Sequence, residues 1–251
     1  MSEATMELKS VFGALQLTAA AEALDELLME AETGQLSYRQ CLERVLFYEL
    51  KKREERQLVR RYKRAAFPEI KTLDEFRIEE QPSLGRRQLN QLRELVWLEQ
   101  HYNLLFLGPP GVGKTHLAIG LGVEALHQGY NVSFVTMDEL MQLLKTQEIS
   151  RNARLKVNRI VRCDLVILDD LMFMALNRQE AHLFFQFVNK LYGQASIILT
   201  SNKGPEDWGE LLGEPAVTTA ILDRILHRSE VIHLTGDSYR LKYRQTIFGS
   251  C

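Results

Sequence analysis

The stretch Gly108-Pro109-Pro110-Gly111-Val112-Gly113-Lys114-Thr115 constrains this chain more than any other feature. It fits the pattern GxxxxGK[ST], follows the apolar run Asn103 to Leu107, and opens into His116, Leu117 and Ala118, which read as helix. A strand, a glycine-rich loop and a helix in that order form a cradle for phosphate. Glycines let backbone N–H groups approach phosphate oxygens without a Cβ in the way, and the helix start adds positive potential. Gly108 through Thr115, with His116 in the first turn, are therefore the expected nucleotide-binding residues. Lys114 is expected to reach the β and γ phosphates of ATP, and the Thr115 hydroxyl to ligate Mg²⁺.

The surrounding pattern fits the same reading. From about residue 84 onward, short apolar runs alternate with helix-length stretches: Asn103 to Leu107, Val132 to Thr136, Leu165 to Leu168, Ser196 to Thr200 and Val231 to Leu234. Such runs predict an α/β fold with a parallel sheet covered by helices on both faces. A hydroxyl alone does not hold a metal, so phosphoryl chemistry needs an acidic partner. The run Leu165 to Leu168 supplies one by ending in Asp169 and Asp170, about 55 residues after Lys114. Asp169 is the expected second metal ligand and Asp170 the residue that polarises the attacking water. Carboxylates in this place can also merely cap the next helix. Asn202, closing the run that begins at Ser196, is either an ordinary turn residue or a partner of the γ phosphate or the lytic water.

Charge decides what else the chain can meet. Lys and Arg number 31 against 33 Asp and Glu, a formal net charge of -2 that by itself argues against nucleic acid. The balance hides blocks. Residues 1 to 36 hold seven acids and one base, whereas 37 to 64 hold ten bases and four acids, most of the bases in the run Lys51 to Arg64. Both segments read as helical, with Ser37 and Gln40 forming a capping-box start and Leu42, Val45, Leu46, Tyr48 and Leu50 an apolar stripe. The basic run, with Lys51, Lys52, Arg60 and Arg61, is either a solvated face paired with Glu54, Glu55 or the acidic helix, or a surface for a phosphate backbone. A second basic segment, Arg151, Arg154, Lys156, Arg159 and Arg162, contains no acid from 151 to 162. No base-reading motif accompanies either, which favours sequence-independent contact with duplex DNA.

These features divide the chain into a helical domain over 1–67, a linker over 68–83 with a thin apolar pattern, and an ATPase domain over 84–251. No apolar run exceeds six residues, too short for a membrane span. Met1 leads into acidic residues without a basic or apolar leader, and Cys41, Cys163 and Cys251 lie far apart. The expected setting is the cytoplasm.

In order along the chain, GPPGVGKT, LVILDD, IILTSNK, Leu222-Asp223-Arg224-Ile225 and Gly236-Asp237-Ser238-Tyr239-Arg240 resemble the AAA+ ATPases of the helicase-loader group. The pattern is most similar to the IstB family of ATP-binding transposition helpers, with DnaC-type helicase loaders more distant. The resemblance implies a P-loop AAA+ core with a truncated lid, since 49 residues remain after Asn202, preceded by a small all-helical domain. It implies self-assembly, with nucleotide held between subunits. Arg224, which alone reads as a surface ion pair with Asp223, becomes the arginine finger reaching a neighbour's γ phosphate. Arg240 becomes a sensor of nucleotide. The partners implied are duplex DNA and a transposase, and many AAA+ proteins carry Glu at the position of Asp170, which implies slow hydrolysis here. A helicase loader preferring single strands, a small-molecule P-loop kinase and a non-hydrolysing switch share parts of this pattern.

Overall fold

The computed structural model describes residues 3–171, 176–208 and 215–244. Contacts divide the chain into two compact units, Met1–Arg60 and Arg61–Cys251.

The first unit is helical: α1 (Glu3–Ala14), α2 (Thr18–Glu22), α3 (Leu24–Thr33) and α4 (Tyr38–Ala65), the last continuing past the unit boundary. The capping box at the start of α4 is formed, with the Ser37 N–H donating to Gln40 Oε1 at 2.9 Å. Ala20, Leu27 and Val45 make a small core, flanked by Phe12, Leu17 and Tyr48. The stripe expected on α4 is buried only at Val45 and partly at Tyr48, whereas Leu42, Leu46 and Leu50 are exposed together with Phe47. Part of the basic run is neutralised within this unit. Lys52 pairs with Glu55 at 2.8 Å, Arg53 with Glu49 at 2.8 Å and Arg56 with Glu22 at 3.6 Å. Exposed pairs of this kind contribute little stability.

Glu49 is the exception, because it is buried, 2% exposed. Its carboxylate accepts the Ala20 N–H at 2.8 Å and holds Arg53. Burial opposes its ionisation, but these two partners outweigh burial and keep its pKa below the ordinary glutamate value. A depressed folded pKa contributes stability above the unfolded pKa that is lost as pH falls through the folded one. Glu49→Ala is therefore expected to cost about 1–3 kcal/mol, the desolvation of an orphaned N–H plus a charged bond. Thermal melting at neutral and acid pH should show the difference from wild type shrinking in acid.

The second unit carries α5 (Arg86–Arg93), α6 (Val96–Glu99), β1 (Asn103–Leu107), α7 (Lys114–His127), β2 (Val132–Thr136), α8 (Met137–Thr146), α9 (Arg151–Ile160), β3 (Leu165–Leu171), α10 (Arg178–Leu191), β4 (Ser196–Ser201), α11 (Pro215–Leu226), β5 (Ser229–His233) and α12 (Tyr239–Lys242). All five strands are parallel, in the order β2-β3-β4-β1-β5. Strands β1 to β4 are buried along nearly their whole length, as expected of strands covered on both faces. The last strand begins two residues earlier than the apolar run suggests. It is an edge strand that pairs only with β1, and its Glu230 and His233 are exposed. After β5 the described residues hold one short helix, α12, and no helical lid.

Segment 68–83 does not stand free as a connector. Leu73 and Gln81 are buried, Arg93 on α5 donates to Asp74 at 2.7 Å, and Gln81 Nε2 donates to the Val112 carbonyl at 3.0 Å. The boundary between compact units falls at Arg60–Arg61, ahead of the expected division at 67–68.

Candidate nucleotide site

β1 delivers the chain to Gly108 with no room for a side chain: at φ +146°, a Cβ there would lie 1.9 Å from the Leu234 carbonyl oxygen. Gly113, at φ +99°, would put a Cβ 2.8 Å from the Phe76 ring. The loop then enters α7. Its first helical bond runs from the Leu117 N–H to the Gly113 carbonyl at 2.9 Å. The N–H groups of Lys114, Thr115 and His116 consequently have no partner among the described residues, and they make an anion-binding helix start.

Lys114 is buried, and its ammonium donates to the carbonyls of Gly108 at 2.7 Å and Pro109 at 2.9 Å and to Asn202 Oδ1 at 2.7 Å. Three oxygens thus fix the ammonium beside the loop. Burial is the main influence on Lys114 and lowers its pKa; Asp170 and Asp169 oppose the shift and the charge of Arg240 adds to it. Arg240 is thus electrostatically part of this site, brought there by the Tyr239 N–H, which donates to the Gly111 carbonyl at 3.0 Å. Asn202 is no isolated turn residue, since it closes the lysine's shell from the end of β4.

Thr115 and Asp169 meet as expected, with Thr115 Oγ1 donating to Asp169 Oδ1 at 2.9 Å. Thr200 joins them, although no sequence pattern marks it. Its buried hydroxyl donates to Asp169 Oδ1 at 2.6 Å and accepts the Asp170 N–H at 3.0 Å, so it fixes both carboxylate residues. Its signal was its place in β4, one strand over from Asp169. Burial raises the pKa of Asp169, against the hydroxyls of Thr200 and Thr115. Asp170 is exposed and lies at φ +56°, in the left-handed region, beside a register irregularity between Leu168 and Leu171. This bend turns Asp170 away from the sheet core, where a residue acting on solvent belongs.

Among the described residues no group of three or more His, Cys, Asp and Glu could hold a metal ion. One carboxylate beside one hydroxyl nevertheless suits Mg²⁺, which takes few protein ligands and completes its shell with phosphate and water. His116 contributes no side chain: its ring packs edge-on to Phe76 at 5.5 Å, and Nε2 lies 2.9 Å from the Thr72 carbonyl. Val112, Pro109 and Pro110 shape the loop without offering polar side chains.

Arg224 is not brought to this site. It lies in the last turn of α11, just before β5 begins, whereas the P-loop leaves the far end of parallel β1. Its guanidinium lies 4.7 Å from the Phe185 ring centroid, and Nε donates to Asn189 Oδ1 at 2.9 Å. The ion pair with Asp223 is not formed among the described contacts; aromatic and amide partners take its place. Arg151, Arg154, Lys156, Arg159 and Arg162 lie on α9 and just past it, with their solvent-facing side chains exposed over buried Ala153, Val157 and Ile160.

Comparison with known proteins agrees with this architecture. The family described as IstB-like ATP binding protein matches residues 10–247. A candidate ATP-binding protein of insertion sequence IS21 from Pseudomonas aeruginosa is 40% identical over 95% of this chain and 90% of its own length. A counterpart from insertion sequence IS5376 of Geobacillus stearothermophilus is 37% identical over 92% of each. Among solved structures, DnaI is similar in fold, with a TM-score of 0.56 at 20% identity over 68% of this chain and 90% of that one. The replication initiator DnaA bound to AMPPCP and single-stranded DNA gives 0.52 at 25% identity over 70% and 53%. No helix among the described residues is long and apolar enough to cross a membrane. With an intact P-loop, a Thr115–Asp169 pair and the β2-β3-β4-β1-β5 sheet, the chain belongs to the IstB-like family of insertion-sequence ATP-binding proteins.

Proposed function

We propose that this protein is an ATP-dependent DNA-binding regulator of transposition. It assembles on duplex DNA, hydrolyses ATP slowly with Mg²⁺, and presents the DNA to a transposase. The observation that carries this reading is the placement of Arg224 at the opposite end of the sheet from its own P-loop. Lys114, Asn202, Thr115, Asp169 and Arg240 assemble one half of a phosphoryl-transfer site, and Arg224 fits as the other half only for a neighbouring subunit. A head-to-tail interface of this kind builds rings or filaments.

In the proposed reaction Thr115 and Asp169 would hold Mg²⁺, which would supply charge neutralisation at the phosphates. Lys114 holds the β and γ oxygens. Asp170 orients the attacking water and accepts its proton, and Asn202 positions that water against the γ phosphorus. Hydrolysis is slow because the Asp170 side chain is one methylene shorter than glutamate. DNA engages basic residues of α9, and assembly multiplies a few charges per subunit into strong, salt-sensitive binding. Bending of the bound duplex would favour deformable sites. The exposed leucines and Phe47 of α4 suit the N-terminal unit to a subunit or transposase interface.

Steady-state ATPase assays with and without DNA test this reading. The expected result is slow hydrolysis, stimulated about tenfold or more by duplex, as an assembly-dependent arginine would give. Stimulation by single strands alone would favour a helicase loader. Phosphate transfer to a small acceptor with no response to DNA would favour a kinase and contradict the proposal.

A further inference from the structure

A cavity of about 420 Å³ opens at the end of the sheet where β2 and β3 begin, the end away from the P-loop. Arg61 and Arg64, in the last turns of α4, line it together with Arg159 and Arg162 at the close of α9. Leu155 and Cys163 are among the apolar residues of its wall. The two basic segments, about 100 residues apart in sequence, thus converge on one small space.

None of the four guanidinium groups has a carboxylate partner among the described residues. The neighbouring acid, Asp164, accepts the Asn131 N–H on Oδ2 at 2.7 Å and forms no ion pair with them among the described residues. Helix dipoles favour arginine near each C-terminus by a few tenths to about 1 kcal/mol, which explains one such residue per helix end. They do not explain four that face the same cavity and repel one another there. Burial pushes the Cys163 thiol up to about 11, so the cavity contains no reactive nucleophile and is suited to binding. Arginine forks match phosphate oxygens in pairs, and exposed Leu155 offers an apolar surface for a sugar ring.

We propose that this arginine cavity binds a phosphodiester group of the DNA backbone, with the adjoining deoxyribose against Leu155. The inference rests on the DNA-binding reading above and localises it. Arg151, Arg154 and Lys156 lie outside the cavity, and Arg159 and Arg162 act with Arg61 and Arg64.

The test compares two double variants of the full chain, each lacking two charges. Arg64→Gln/Arg159→Gln removes cavity arginines, and Arg151→Gln/Arg154→Gln removes arginines of the same helix outside it. Fluorescence anisotropy with duplex DNA and ATP is measured across a salt series. The cavity variant should bind about tenfold more weakly near physiological salt, with the log–log salt slope shallower by about 0.9 for each phosphate lost. The outside variant should lose less on both measures. Arg64→Lys/Arg159→Lys should restore the slope while melting at the same temperature as the glutamine pair. Equal losses in the two glutamine variants, or no recovery with lysine, overturns the proposal. Titration with inorganic phosphate separates the sources: phosphate binding lost in the cavity variant while its DNA curves match wild type would mean a free-anion site and sink the DNA assignment. Wild-type protein that shows no salt-dependent duplex binding would refute the underlying DNA reading as well, a result distinct from failure of the cavity alone.

Discussion

Lys114→Ala is expected to weaken nucleotide binding by about 100-fold or more. The ammonium is buried at 6% exposure and already makes three short bonds, to two loop carbonyls and to Asn202, so it is positioned before any phosphate arrives. Charged hydrogen bonds of this kind contribute about 1.5–3 kcal/mol each, and losing those to the β and γ phosphates should weaken ATP binding by about 100-fold or more. Burial lowers the pKa of Lys114, while Asp170 and Asp169 support its charge. Removing it leaves two carboxylates facing the phosphate site without their nearest cation, which adds repulsion to the lost attraction. Calorimetric titration with ATP measures the loss, and an unchanged thermal melt of the unliganded protein shows that it is local. Asn202→Ala should be far milder on binding, because the lysine keeps its loop carbonyls.

Arg224→Ala has an equally large effect on a different quantity. Nucleotide binding should stay within about threefold of wild type, because the residue lies across the sheet from its own P-loop, while hydrolysis falls by about 10³. ATP-dependent assembly should fail with it. The substitution also removes the Phe185 contact at 4.7 Å and the Asn189 bond, a cost of about 1 kcal/mol to the subunit itself. Arg224→Lys separates these effects: it keeps the charge but not the planar fork, so hydrolysis should remain depressed while stability returns toward wild type. Normal hydrolysis in Arg224→Ala would remove the finger assignment.

The parts of this account that were legible in the sequence are those fixed by local chemistry. The P-loop glycines, Lys114 and Thr115 sit in one continuous segment, and Asp169 ends an apolar run, so pattern alone places them. What escaped depends on which strands become neighbours. Thr200 gains its role only because β4 lies beside β3, and nothing in its own segment points to Asp169. The left-handed backbone at Asp170 is set by the register shift near it, which spacing does not record. Segment 68–83 has too few apolar residues to look structured, yet Leu73, Phe76 and Gln81 pack or hydrogen-bond it to the loop and to α7. The apolar stripe on α4 shows the opposite failure, since periodicity reports which face is apolar and not whether anything covers it. The two basic segments were each visible, but their meeting in one cavity is a property of the fold.

In the proposed assembly each ATP site is completed by the neighbouring subunit. Two inactive proteins test it most directly: Arg224→Ala, which keeps an intact P-loop, and Asp170→Asn, which keeps Arg224 and tolerates the left-handed backbone at that position. Each alone should be nearly inactive. Mixed in equal amounts with ATP and duplex DNA, they should recover activity toward an upper limit of about a quarter of the wild-type ATPase rate, since at most about one interface in four of a random assembly would pair an intact P-loop with an intact finger. A mixture that co-assembles on DNA and remains as inactive as its components would contradict the account.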